Sequence, residues 1–224
     1  MKRLFALLLV LSLALTLTAC GTQSPTAPSP APDALIADEP ETLQLDTLNV
    51  EFVVGERSAS ELMALQKELP PLLIGKLADE GCTVGQINIT FGASADATVR
   101  SLHSGAVDIA FLPSEACVLS EFRLRLIALE NAAAPASEYF PNLDFSALSD
   151  VTADSGIYEN AVVLSGDASD ALCDAFSAAL VALCADVEGS AAMQRYGCAS
   201  YLVSGDFGAL LAPLIACLTL APQE

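Results

Sequence analysis

The stretch HSGAVDIAFLPSEACVLS, residues 103–120, decides how the rest of the chain is read. Val107–Leu112 is apolar apart from Asp108, and it lies between Ser104-Gly105 and Pro113-Ser114. An apolar run this short, closed at both ends by turn residues, reads as a strand buried on both faces. Gly105 stops the helix before it. Pro113-Ser114 can open another short helix over 114–120.

Working outward from that strand, Gln86–Phe91 (QINITF) is β-branched and alternating, as a strand should be. Gly92-Ala93-Ser94 turns, and Ser94 or Asp96 can cap a short helix that runs through Leu102. Further back, Leu48–Val54 (LNVEFVV) is another strand. Ser58-Ala59-Ser60-Glu61 after it matches a capping box. Leu62, Leu65 and Leu69 follow at helical spacing, and Pro70-Pro71 predicts a break into helices over 59–68 and 71–79, ended at Gly81. Downstream, Leu124–Leu129 is a fourth strand. Residues 131–156 hold two prolines and no strong period, so they read as a loop with a short helix at most. Ala161–Leu164 is a returning strand, followed by helices over 170–185, 188–196 (stopped by Gly197) and 207–218 (kinked at Pro213). Strands alternating with helices predict an α/β fold with a mainly parallel sheet flanked by helices.

In such a sheet, ligands bind beyond the carboxyl ends of the strands. Here those ends are Val54–Ser60, Gly92–Ala97 and Pro113–Cys117. Each leads into a helix whose first amides lack intrahelical partners and carry partial positive charge. Ser58, Ser94 and Ser114 sit at these starts, where capping and ligand contact are compatible roles. Arg57 beside them is either a solvated loop charge or a ligand contact. Glu115 at the same end would repel an anion. Asp108 lies at the opposite end of its strand and is assigned a structural role. The single histidine, His103, falls near a helix C-terminus, where its cation is favoured. With no second histidine, no Cys–His pair of motif quality and no G-x-S-x-G, an enzyme is not expected, and neither is a cofactor or a metal.

The chain begins with Lys2-Arg3 and an apolar, Ser- and Thr-containing run over 4–17, the pattern of an export signal too short for a comfortable membrane span. Leu17-Thr18-Ala19-Cys20 resembles the lipobox of bacterial lipoproteins, which implies cleavage before Cys20, its lipidation, and an extracytoplasmic protein anchored to the cell membrane. Residues 21–40 contain five prolines among Ser, Thr and Ala and read as an extended tether. The organisation expected is a signal over 1–19, a tether over 20–45 and one domain over 46–224. The formal charge is −19, with 9 basic and 28 acidic residues. That excludes nucleic acid as a partner and disfavours anionic lipid, but leaves a small anion held by local amides open. Cys82, Cys117, Cys173, Cys184, Cys198 and Cys217 include no CxxC, and Cys173 and Cys184 stand about 16 Å apart along one helix. Free buried thiols are preferred to disulfides.

The run GASADATVRSLHSGAVDIAFLPSEACVL after a strand resembles the phosphate, phosphite and phosphonate substrate-binding proteins of ABC importers, which have the type 2 periplasmic-binding fold. SGIYENAVVLSGDASDAL, 155–172, is similar to that family's return segment. The resemblance covers 48–130 and 155 to about 200. It implies a periplasmic-binding-protein-like lobe, a small anionic ligand of the phosphonate or phosphate class, and an ABC permease as partner. Ligand contacts are expected at Arg57, Ser58, Ser94 and Ser114, where the three helix starts converge, and at Ala95, the position of a family tyrosine. Where the family carries tyrosines after the second strand and after the L-P, this chain has Ala95 and Cys117. Where the family carries a second lobe, this chain has only 131–156, so that lobe is expected to be reduced or absent. The other reading is a non-transporting interaction or sensory module on the one lobe retained.

Overall fold

The computed structural model describes residues 42–55, 57–198 and 200–221. Cys20, the signal segment and the tether up to residue 41 lie outside the described residues. In chain order the elements are β1 (Leu43–Val53), α1 (Ala59–Asp79), β2 (Cys82–Gly92), α2 (Ala95–His103), β3 (Ile109–Pro113), α3 (Ser114–Leu119) and β4 (Leu124–Glu130). Then come β5 (Ala133–Pro135), α4 (Ala136–Tyr139), a 3-10 turn (Phe145–Ala147), β6 (Gly156–Tyr158), β7 (Asn160–Ser165), α5 (Asp170–Ala185), α6 (Val187–Tyr196), β8 (Tyr201–Leu202) and α7 (Phe207–Leu220).

The main sheet has the order β2-β1-β3-β7-β4-β8. β1 pairs in parallel with both β2 and β3. The returning strand β7 enters antiparallel between β3 and β4, so β1, β2, β3 and β4 share one direction. β3 is the strand read from residues 107–112, but it starts two residues later, at Ile109, and ends at Pro113. Ile109 and Phe111 point into one apolar cluster with α1, α5 and α6, while Ala110 and Leu112 point into another with α2 and α7. Burial on both faces is why this strand shows no polar alternation. Asp108 accepts from the Asn49 amide at 2.7 Å and the Asn49 side chain at 3.2 Å, tying the start of β3 to β1 at the end remote from the carboxyl edge.

The prolines do not break α1. One 21-residue helix carries both Pro70 and Pro71. Each interior proline costs about 3 kcal/mol. Leu65, Leu69, Leu73 and Leu77 recur every four residues and are all buried against the sheet. At about 1.5–3 kcal/mol for each buried leucine, this stripe offsets both prolines. Gly81 (φ +76°) and Gly105 (φ +73°) do end α1 and α2 in the left-handed conformation open to glycine.

β1 starts at Leu43, three residues before the expected domain start, and pairs with β2 along its whole length. Residues 131–156 form no second lobe. β5 and β6 make a separate two-stranded sheet, and the chain between them holds only the four-residue α4 and the 3-10 turn.

Candidate functional site

Parallel pairing of β1, β2 and β3 brings the starts of α1, α2 and α3 to one edge of the sheet. The three starts differ in what they leave free. At α1, Ser58 and Glu61 form the capping box. The Glu61 carboxylate accepts the Ser58 amide at 3.0 Å and the Ser58 hydroxyl at 2.6 Å, and these bonds lower its pKa. An internal carboxylate therefore already holds the anion position at that helix end. Arg57 lies over Tyr196, its guanidinium carbon 4.5 Å from the ring centre, close enough for its charge to add to the lowering of Glu61.

At α3 the amide of Ser114 donates to the Glu159 carbonyl at 2.7 Å. Ser114 is 0% exposed, and its hydroxyl has no hydrogen-bond partner among the described residues. The capping role expected of Ser114 is not taken up, because Pro113 occupies the cap position and offers no side-chain acceptor. α2 is the open end. Ser94 caps it by accepting from the Ala97 amide at 3.2 Å, ahead of the first-turn residues Ala95 and Asp96.

A cleft of about 540 Å³ lies between α2 and α3 at this edge. Ala95, Asp96, Val99 and Arg100 line it from α2, and Pro113, Glu115, Ala116 and Leu119 from α3. Ser120, Glu121 and Phe122 close its far side. Of the five expected contacts, Ala95 is at the cleft wall, Ser94 precedes it as the helix cap, and Ser114 lies buried between two lining residues. Arg57 and Ser58 belong to the α1 start instead.

The lining residues beyond these five follow from helical spacing. Asp96 and Arg100, Ala95 and Val99, and Glu115 and Leu119 are each four apart and so share a helix face. That signal was present in the sequence. What it lacks is which face of α2 meets which face of α3.

Three carboxylates (Asp96, Glu115, Glu121) and one guanidinium (Arg100) line the cleft. Tyr139 adjoins it, its hydroxyl donating to Glu115 at 3.5 Å. Burial first, then the charges of Glu115 and Glu159, push the Tyr139 phenol up to about 12. Phe122 is stacked on His103, ring centres 3.9 Å apart. Cys117, where the family carries a tyrosine, is pushed up to about 11 by burial and is therefore a protonated thiol at neutral pH.

No protein-family model matches the chain, and no curated protein matches it. Among solved structures, XAC2383 from Xanthomonas citri bound to chloride ion is similar with a TM-score of 0.53 at 9% identity, covering 78% of this chain and 98% of that one. XAC2383 bound to ATP gives 0.51 at 10% identity, covering 79% and 100%. PhnD1 from Prochlorococcus marinus (MIT 9301) in complex with methylphosphonate gives 0.48 at 8%, covering 75% and 98%. At these identities the likeness is one of fold. The chain shares with XAC2383 an α/β fold, here a six-stranded sheet with four strands in one direction and helices on both faces, in which residues 131–156 form only a short excursion.

Proposed function

We propose that this chain is a lipid-anchored, extracytoplasmic solute-binding protein, or a shortened derivative of one, of the kind that serves an ABC importer. The observation that carries this reading is the cleft between α2 and α3. It lies at the carboxyl edge of the parallel strands, where open α/β sheets hold ligands, and its volume falls in the range of small-molecule sites.

The permease partner and the phosphonate or phosphate class come from the sequence resemblance. In the cleft, such an anion would have Arg100 and the open first turn of α2 in its favour and Asp96, Glu115 and Glu121 against it. With no second lobe among the described residues to close over it, its affinity is expected to be high-micromolar or weaker. The lipid anchor rests on Leu17–Cys20.

Two experiments test the proposal. A thermal-shift screen of small solutes should find one that raises the melting temperature, and binding to the folded state adds about 2.7 kcal/mol at a hundredfold excess over Kd. Cys20→Ala should move the protein from membranes to the soluble exported fraction, and unchanged membrane retention refutes the anchor. The reduced 131–156 segment favours a second reading, a non-transporting interaction or sensory module. Failure of every solute to stabilise the fold would support that module over transport.

A further inference from the structure

Resting on the solute-binding reading, we infer that the cleft between α2 and α3 takes an organic cation, an amine or quaternary ammonium carried on a small apolar stem. Three features of the cleft agree on that class. Its charged lining is three carboxylates against one guanidinium, so an anion entering it meets net repulsion and a cation net attraction. The remaining wall is apolar, from Val99, Ala116, Leu119 and Phe122, which suits methyl or methylene groups next to a charge. Phe122 lines the cleft with one ring face covered by His103, and an ammonium over the other face would be favoured.

The surroundings point the same way. Tyr139 beside the cleft is raised first by burial and then by the charges of Glu115 and Glu159, so a fourth carboxylate stands near the three of the lining. The chain as a whole, at −19, draws cations and repels anions on approach. Of the three helix starts at this edge, only α2, with Arg100, is left to favour an anion. The α1 start is filled by Glu61, and the α3 amide is bonded to Glu159. Arg100 is left to pair with a carboxylate of the lining or to fix a polar end of the ligand.

The test is isothermal titration of the full-length chain at low ionic strength, with choline and putrescine as cation probes and phosphate and methylphosphonate as anion probes. At least one cation should bind saturably. Glu115→Gln should weaken it roughly tenfold, the usual effect of losing a hydrogen bond to a charged group. Leu119→Arg, at a position 54% exposed and therefore tolerant of a large side chain, should weaken it as well. Circular dichroism establishes that each variant is folded. Binding of an anion that Leu119→Arg strengthens overturns the cation class and leaves the solute-binding reading standing. Cation binding indifferent to both substitutions overturns the site. Absence of cation binding to the folded protein overturns the class, and the solute-binding reading falls only if the thermal-shift screen also finds no stabilising solute.

Discussion

Tyr196 is where the end of α6 is fastened to the sheet, and its removal is the most informative single test of the fold around the site. It is the last residue of α6 and 4% exposed. Its hydroxyl donates to the Val53 carbonyl at 3.1 Å and lies 3.3 Å from the Phe111 carbonyl, so one donor serves β1 and β3 at the edge where α1 and α3 begin. The ring packs edge-on against Phe52, centres 4.6 Å apart, and Phe52 in turn stacks on Phe111 at 4.2 Å. Tyr196→Phe keeps every ring contact and removes only the donor. Two carbonyls, the one of Phe111 buried and the one of Val53 partly so, then lose their hydroxyl, which costs about 1–2 kcal/mol. In a folded unit of this size, each kcal/mol lowers Tm by about 2–4 °C. Tyr196→Ala also loses the ring and should cost about 3–5 kcal/mol. Urea denaturation followed by far-ultraviolet circular dichroism measures both, and the slope m should stay constant, since neither variant changes the surface exposed on unfolding much. If Tyr196→Phe lies within about 0.3 kcal/mol of the parent, the hydroxyl does not fasten the strands and the reasoning fails.

Three other outcomes follow from the same coordinates. A Cβ at Gly92 would overlap the Thr98 hydroxyl, which donates to Glu51 at 2.6 Å, so Gly92→Ala should destabilise by about 1–3 kcal/mol. Thr98→Ala in the same chain should recover part of that loss, and strict additivity of the two would contradict the overlap. Asp108→Ala should cost about 1–3 kcal/mol through the lost bonds to Asn49 while leaving solute binding at the opposite edge unchanged; altered binding would assign Asp108 to the site. Burial raises Cys117 and Cys184 to about 11, Cys198 to about 12 and Tyr139 to about 12, from ordinary values of 9.0 for the thiols and 10.0 for the phenol. Below pH 9.0 folded and unfolded chains both hold these protons. Above it the unfolded chain releases them first, so stability should fall as pH rises from 9.0 towards about 12. A urea midpoint equal at pH 7.5 and about pH 10.5 would refute this linkage.

The sequence by itself determined the element types and much of their placement. β3 was legible because six residues between two turn signals can only be a strand buried on both faces. α5 was legible over Asp170–Ala185 because its cap and its apolar stripe agree. Gly81, Gly105 and Gly197 marked helix ends, since all three take the left-handed backbone that other residues avoid. The place of Asp108 just before β3, bonded to Asn49 at the end remote from the cleft, follows from residue order.

What only the tertiary structure decided was where local preference loses to packing. Pro70-Pro71 ends a helix in isolation, but not one whose four leucines are buried on a sheet. The two-residue β8 and the three-residue β5 and β6 carry no periodic signal at all, because a strand that short exists only through its partner. The site shows the same division. That α1, α2 and α3 start at one edge follows from parallel pairing and could be read from residue order. Which of those starts stays open could not. Glu61 folding back on Ser58 is the capping box legible as S-x-x-E, but the answer also depends on the carbonyl of Glu159, forty-five residues along the chain, meeting the amide of Ser114. Hydrogen bonds between distant segments are fixed by the register of β7 against β3, a property of the assembled sheet rather than of any stretch of sequence.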